Sequence, residues 1–220
     1  MKHLKIFGTE AELSKWRTSR EFTYPNVCLL NRKLLYGVTE LRGVFIQHID
    51  GNLYTTDEWT VGGFTNDEAN GVAVIGLPDT GIVISKEEIG YYQWGENRPS
   101  SSYIGHNLYG YGEKDTEDII NGLGDNNGVN YAAQMARNYI FPNGKTGFLP
   151  TKKECHYIVY YITEVIKALS LIGDSTGVFR TWTTNIGLYS GVFKVDYYSI
   201  NAWGTQSITN TKPTRAVCYL

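Results

Sequence analysis

Residues 147–154 read GFLPTKKE, and this stretch decides the fold because it joins an extended approach to the start of a helix. Pro150 fixes its own φ and biases Leu149 away from helical conformation, so the chain arrives extended. Thr151 and Glu154 have the spacing of a capping box, in which each side chain accepts a hydrogen bond from the other residue's backbone N–H. A helix is therefore predicted to begin directly after Thr151.

The residues that follow this capping box predict the longest helix of the chain, over about residues 152–171. Gly173 is expected to end it, because glycine readily adopts the left-handed conformation found after helix ends. Two shorter helices are predicted upstream, at Thr116–Leu123 and at Tyr131–Tyr139, with Asn130 as the N-cap of the second. The apolar stripe of the long helix comprises Ile158, Tyr161, Ile162, Val165, Ile166 and Leu169.

On either side of these helices the pattern predicts β-structure, and the Asp50-Gly51 pair is a strong hairpin-turn signal. The chain returns to β from Val178 and ends on RAVCYL (215–220), whose alternation places Ala216, Cys218 and Leu220 on one side. This order predicts an α+β fold with a mostly antiparallel sheet and two to three helices. Short strands are expected at residues 43–47, 52–54, 58–61, 71–76 and 81–85.

The first 42 residues form a separate pattern, predicted to be a small α/β module. A strand is expected at residues 3–8, and Thr9 with Glu12 forms a capping box for a helix to about residue 19. A hairpin follows about Asn31-Arg32. Because about 40 residues are too few to be stable alone, this module is expected to pack on a partner or on residues 43–220.

Composition limits the function classes. The formal net charge of −2 and the absence of clustered Lys and Arg argue against a nucleic-acid partner. The three cysteines, Cys28, Cys155 and Cys218, are widely spaced and odd in number, which favours folding in a reducing cytoplasm over a disulfide framework. No apolar run follows Met1–Phe7, so no signal peptide is expected, and no stretch is long enough to insert into a membrane.

Motifs for chemistry are missing from the sequence. The histidines are scattered, no CxxC pair occurs, and no EF-hand ladder, GxSxG, Walker loop or dinucleotide fingerprint is present. The acidic stretches, such as Asp115 with Asp118, are interpreted as turns and caps. We therefore expect no catalytic residue, no metal site and no cofactor.

The C-terminal stretch offers the best candidate for binding. More than half of residues 181–212 are Thr, Ser, Asn, Tyr or Gly, the mixture that antibody binding sites use for contact area and adaptable hydrogen bonds. The aromatic stretches 91–94 and 103–111 would either extend this surface or pack against a neighbouring subunit. The other interpretation is an exposed turn region with tyrosines packed on the sheet. The predicted ligand-binding residues are Asn185, Tyr189, Tyr197, Tyr198, Asn201 and Trp203.

An ordered series of segments resembles a known family. The series is GVAVIGLPDTGIVI (71–84), NYAAQMARNY (130–139), GFLPTKKE, TWTTN (181–185) and RAVCYL. It is similar to bacterial C-type-lectin-like domains related to the formylglycine-generating-enzyme fold, as found in virion proteins of Bacteroidales phages and prophages, including crAss-like phages. The resemblance covers residues 43–220, and the opening LKIF with PNVCL also resembles the N-terminal segment of those phage proteins.

The resemblance implies a non-enzymatic virion protein, made in the host cytoplasm, in which residues 1–42 attach to other virion proteins. It would be a capsid decoration, head-fibre or tail-associated protein. Its lectin-like domain would adhere to a host glycan or surface protein through the C-terminal residues, and it would form a homo-oligomer. One alternative is a purely structural clamp between virion subunits. Another is an enzyme of the formylglycine-generating type, which would need Cys155 and Cys218 as a reactive pair, although both are expected to be buried.

Overall fold

The computed structural model describes backbone and side chains of residues 42–76, 81–95, 111–184 and 209–220. Six short segments are described by their backbone alone: residues 5–7, 27–30, 33–36, 185–186, 191–196 and 203–207.

The described residues form thirteen strands, five α-helices and two short 3₁₀ turns, at Asn66–Glu68 and Asn126–Gly128. The helices are α1 Thr56–Gly62, α2 Gly112–Leu123, α3 Ala132–Asn138, α4 Lys152–Tyr160 and α5 Ile162–Leu171. The strands are β1 Lys5–Phe7, β2 Val27–Leu30, β3 Lys33–Tyr36, β4 Gly43–His48, β5 Leu53–Tyr54, β6 Ala69–Ile75, β7 Ile82–Ile84, β8 Gly90–Tyr92, β9 Arg180–Ile186, β10 Gly191–Asp196, β11 Trp203–Ser207, β12 Lys212–Thr214 and β13 Val217–Tyr219.

A five-stranded antiparallel sheet in the order β13-β7-β6-β4-β5 organises the core. Its central strand β6 is buried at six of its seven residues, as expected for a strand covered on both faces. The α4 and α5 helices pack against β6, and α5 also contacts β4. The predicted strands at 43–47, 52–54, 71–76 and 81–85 are confirmed, as is the hairpin at Asp50-Gly51, which joins β4 to β5.

The mixed α+β class and the mainly antiparallel pairing are confirmed, but the expected two to three helices were too few. The segment 58–61, predicted as a strand, belongs to α1 instead. Thr55 accepts a hydrogen bond from the N–H of Glu58, and the Glu58 carboxylate accepts one from the N–H of Thr55, which is a complete capping box. This local cap outweighs the strand preference of Trp59, Thr60 and Val61.

The predicted single helix over 152–171 is two helices. Tyr161 has φ −106° and ψ 27°, outside the helical range, and its N–H bonds to the carbonyl of Ile158 at 3.2 Å, which tightens the last turn of α4. The capping box of Thr151 and Glu154 is confirmed at the start of α4. The apolar stripe holds across the break, since Ile158, Ile162, Val165 and Leu169 are all buried.

Three further predictions change in detail. The α2 helix begins at Gly112, four residues before the predicted start at Thr116. The N-cap of α3 is Tyr131 and not Asn130, and its side chain makes no capping hydrogen bond. In the final RAVCYL segment Ala216 and Cys218 of the predicted face are buried but Leu220 is exposed, and Arg215 and Val217 are buried as well. The β13 strand pairs with β7 and also bridges to Phe148.

The N-terminal strands form a sheet of their own in the order β1-β3-β2, with the hairpin predicted about Asn31-Arg32. The helix predicted from Thr9 lies outside the described residues, as do residues 96–110. The boundary between residues 42 and 43 stays a prediction.

Candidate functional site

The inner strand of the C-terminal sheet, β9, is attached to the core at consecutive residues. The hydroxyl of Thr181 donates to the carbonyl of Arg215 at 3.2 Å and accepts from the Arg215 N–H at 3.1 Å. Thr181 is buried, so these bonds are protected from competing water. They join β9 to the chain between β12 and β13.

Two indoles strengthen this attachment. The Trp182 Nε1–H donates to the carbonyl of Tyr92 at 2.8 Å, and the Trp94 Nε1–H donates to the carbonyl of Thr183 at 3.0 Å. Both indole side chains are fully buried, and a buried indole satisfies its N–H in this way. The α4 helix also contacts β9.

Thr184 connects β9 to α2. Its N–H bonds to the carbonyl of Pro150 at 3.0 Å, and its hydroxyl donates to the Asp115 carboxylate at 3.1 Å. Burial raises the pKa of Asp115 to about 6, although the hydrogen bond from Thr184 acts in the opposite direction. The sequence analysis interpreted Asp115 as part of a turn or cap, and it lies in the first turn of α2, buried. Because Asp115 lies against Thr184 of β9, its carboxyl group is buried and takes up a proton at a higher pH than an exposed carboxyl group does.

The outer strands extend this platform. The strands β9, β10 and β11 form an antiparallel sheet in which β10 is central. The pairing of β9 with β10 shifts between Val192 and Lys194, so β9 carries extra residues there, including Asn185. Such a bulge redirects side chains and increases local twist.

The predicted binding residues divide between two ends of this sheet. Tyr189, Tyr197, Tyr198 and Asn201 lie outside the described residues, while Asn185 lies on β9 and Trp203 on β11, both described by backbone alone. In sequence, Tyr189 belongs to the connection from β9 to β10, and the other three to the connection from β10 to β11.

Consecutive antiparallel strands are connected at opposite ends. The two ends of β10, Gly191 and Asp196, are five residues apart, which is about 17 Å along a strand. The six residues therefore attach at two places, with Asn185 and Tyr189 at the Gly191 end. The other four attach at the Asp196 end.

The Asp196 end adjoins a polar and aromatic group that the sequence did not reveal. Asp196 pairs with Arg180 in the sheet. The Arg180 guanidinium lies 3.3 Å from the Glu88 carboxylate and 3.4 Å from the Tyr91 hydroxyl. Tyr91 is 59% exposed. Nothing in the local pattern around Arg180 signals these partners, because they lie about ninety residues away in sequence.

The aromatic stretch 91–94 contributes less surface than expected. Trp94 is fully buried and Tyr92 is half-buried, with its ring packed against the core. Tyr91 alone of its three aromatic residues is exposed. Of the second stretch, 103–111, only Tyr111 is described, and it is exposed.

The groups that could support other chemistry are buried or dispersed. Cys155 and Cys218 are buried thiols, as predicted, and burial raises the pKa of Cys155 well above its usual value and that of Cys218 to about 12. Within the part of the chain that the structure describes, no three His, Cys, Asp or Glu side chains are grouped so that they could hold a metal ion. No helix among the described residues is long and apolar enough to cross a membrane.

Comparison of the chain with protein families, with curated proteins and with solved structures finds no match in any of the three.

Proposed function

We propose that this protein is a non-enzymatic adhesion protein of a phage virion, whose C-terminal sheet binds a host glycan or surface protein. Residues 1–42 would attach it to other virion proteins, and residues 43–220 would form a displayed C-type-lectin-like domain. The fold name and the virion location rest on the sequence resemblance. The mixed α+β architecture is compatible with them.

One observation carries the binding role: six hydrogen bonds made by residues 181–184 hold β9 to the core, while β10 and β11 extend from it. A strand held this firmly gives the connections that follow it a rigid base. Binding residues on a rigid base lose less conformational entropy when a ligand binds, which raises affinity.

We place the ligand at the Asp196 end of β10. Four of the six predicted residues attach there, and the exposed ring of Tyr91 adjoins it through Arg180. Tyr and Arg are the residue types that most often dominate binding energies at protein interfaces. The Gly191 end is expected to contribute less.

The test uses the full-length protein on a glycan array and, fluorescently labelled, on host bacterial cells. The triple variant Tyr197→Ala, Tyr198→Ala and Trp203→Ala should weaken binding at least about tenfold, since each aromatic anchor is worth 1–2 kcal/mol or more. The double variant Asn185→Ala and Tyr189→Ala should change binding by less than about threefold.

Tyr160→Ala is the matched control, because it removes an aromatic ring that is 79% exposed on α4. Thermal unfolding of each variant should match the parent, which separates binding from stability. The proposal is wrong if the parent binds neither glycans nor cells, or if the triple variant binds as well as Tyr160→Ala does.

The clamp function has one observation in its favour. Among the described strands, β11 pairs on one side alone, with β10. An open edge is a template for pairing with another chain. A clamp would appear in light scattering as a mass above the monomer's 24.8 kDa, and in a particle map as a C-terminal sheet buried between subunits. A monomer with this sheet facing outward would contradict it.

A further inference from the structure

A cleft separate from the C-terminal sheet lies between β5 and the short helix α1. Its volume is about 530 Å³, within the range of small-molecule sites. It belongs to the β5 edge of the five-stranded sheet, whereas the C-terminal sheet contacts α2, α4 and β12. Its lining residues are Asn52, Tyr54, Asp57, Glu58, Val61, Gly62 and Phe64.

The wall of the cleft is a pair of aromatic rings with a fixed arrangement. The ring centroids of Tyr54 and Phe64 are 4.6 Å apart, and the buried Trp59 supports them from behind at 4.9 Å from Phe64. Gly62 makes this possible, because a Cβ at that position would meet the Phe64 ring at 2.5 Å. Because Gly62 has no side chain, the Phe64 ring can pack against α1.

The rim of the cleft consists of polar groups, of which the Glu58 carboxylate is held in place. The Glu58 carboxylate accepts from the N–H and hydroxyl of Thr55, at 2.9 and 3.0 Å, which fixes its position. Asp57 lies 3.8 Å from the ammonium of Lys167, a surface pair that reduces its field. Asn52 adds an amide.

We propose that this cleft binds a neutral saccharide. The apolar face of a sugar ring would stack on Tyr54 and Phe64, and its hydroxyls would donate to the rim of Asn52, Asp57 and Glu58. The site is separate from the C-terminal sheet and does not depend on the function proposed for it. A ligand of one sugar ring would bind with a dissociation constant on the order of 1 mM.

The charges around the cleft decide the class of ligand. Among the residues that the structure describes, no cationic side chain lines the cleft and two carboxylates do, so an anionic ligand is disfavoured. A cation would gain from carboxylates and ring faces, but Asp57 already pairs with Lys167, and one oxygen of the Glu58 carboxylate already accepts two hydrogen bonds from Thr55. The carboxylate oxygens still have free lone pairs, and the hydroxyl groups of a neutral polyol can donate hydrogen bonds to them.

Saturation-transfer NMR on the full-length protein would test this, with glucose, galactose, mannose and N-acetylglucosamine as neutral probes and arginine as the cationic probe. At least one sugar should show transfer to its ring protons. Gly62→Ala should weaken that binding about fivefold or more by displacing the Phe64 ring, while alanine's higher helix propensity keeps α1 formed. Asp57→Asn, which keeps the shape and an acceptor, should change it less than about threefold.

Tyr160→Ala should bind the sugar as the parent does. The C-terminal triple variant should also bind it unchanged, so failure of this site and failure of the C-terminal surface are distinguishable. The inference is overturned if none of the sugars binds, if Gly62→Ala retains parental affinity, or if arginine binds and the sugars do not.

Discussion

Arg215 and Asp174 form an ion pair inside the domain: Nη2 of the guanidinium donates to the Asp174 carboxylate, and Arg215 is fully buried. Its Nη1 donates to the carbonyl of Ser85 at 3.0 Å, and its backbone exchanges two hydrogen bonds with Thr181. One side chain thus joins the end of β7 and the loop after α5, next to the base of the C-terminal sheet.

Arg215→Met is expected to lower the free energy of unfolding by about 3–5 kcal/mol, because it leaves the Asp174 carboxylate buried without its partner. The double variant Arg215→Met with Asp174→Leu should be less destabilised than Arg215→Met, because the unpaired charge is also removed. Urea unfolding of the two variants measures this. Equal losses in both would contradict the expected penalty for leaving the Asp174 carboxylate buried and unpaired.

Asp115 predicts a pH dependence of stability. Its pKa is raised from 3.8 to about 6 in the folded protein, so between these values the folded state binds more protons than the unfolded state. The stabilisation that protonated Asp115 provides is therefore present below about pH 4 and is lost as the pH rises through about 6. The loss is at most about 2–3 kcal/mol, from 1.36 kcal/mol per pH unit.

Asp115→Asn should remove this dependence and stabilise the protein at pH 7, since an amide also accepts from Thr184. Asp67→Asn is the control, because Asp67 is an exposed carboxylate elsewhere in the chain. Chemical unfolding of the parent and both variants at pH 4.5 and pH 7 checks it. An unchanged pH slope in Asp115→Asn would contradict the assignment.

Glu154 joins three elements. It caps α4 through the Thr151 N–H at 2.6 Å, accepts from the Gly112 N–H at the start of α2 at 3.2 Å, and accepts from the Tyr219 hydroxyl of β13 at 2.8 Å. A double-mutant cycle with Glu154→Gln and Tyr219→Phe should give a coupling of about 1–2 kcal/mol, because one partner is charged. Thr151→Ala should cost about 1 kcal/mol through the cap. A coupling near zero would show that the Tyr219 bond adds no stability.

Gly71 has no room for a side chain. A Cβ there would collide with the carbonyl oxygen of Ile84 on the neighbouring strand β7, which is backbone and cannot move aside cheaply. Gly71→Ala should destabilise the protein by about 3 kcal/mol or more, as overpacking at a sheet centre does. Gly63→Ala, at φ +68° and ψ 24° in open space, should cost about 1 kcal/mol. Thermal unfolding compares the two, and a similar small loss at both would contradict the steric argument.

The two buried thiols should be unreactive. Alkylation of the native protein with iodoacetamide at pH 8, read by peptide mass spectrometry, should leave Cys155 and Cys218 unlabelled until urea is added, because burial raises both pKa values. The double variant Cys155→Ser and Cys218→Ser provides the background for the assay. Rapid labelling of either thiol in the native protein would favour the formylglycine-generating enzyme alternative instead.

The parts of the fold that are predictable from sequence depend on neighbours in the chain. The Thr151–Glu154 cap, the Asp50-Gly51 hairpin and the burial of Cys155 follow from spacing and polarity within a few residues. The α1 helix belongs to this class as well. Its capping box at Thr55 and Glu58 is visible in the sequence, but the strand-forming residues that follow led to the prediction of a strand.

What only the tertiary structure decided is which distant groups meet. The Asp174 partner of Arg215, the Asp115 partner of Thr184 and the second and third partners of Glu154 lie 41 to 69 residues away in the sequence. The arrangement of strands also separates the predicted binding residues to two ends of β10. The physical reason is that local spacing sets the conformation of a segment, while burial of the whole core selects the neighbours against which that segment packs.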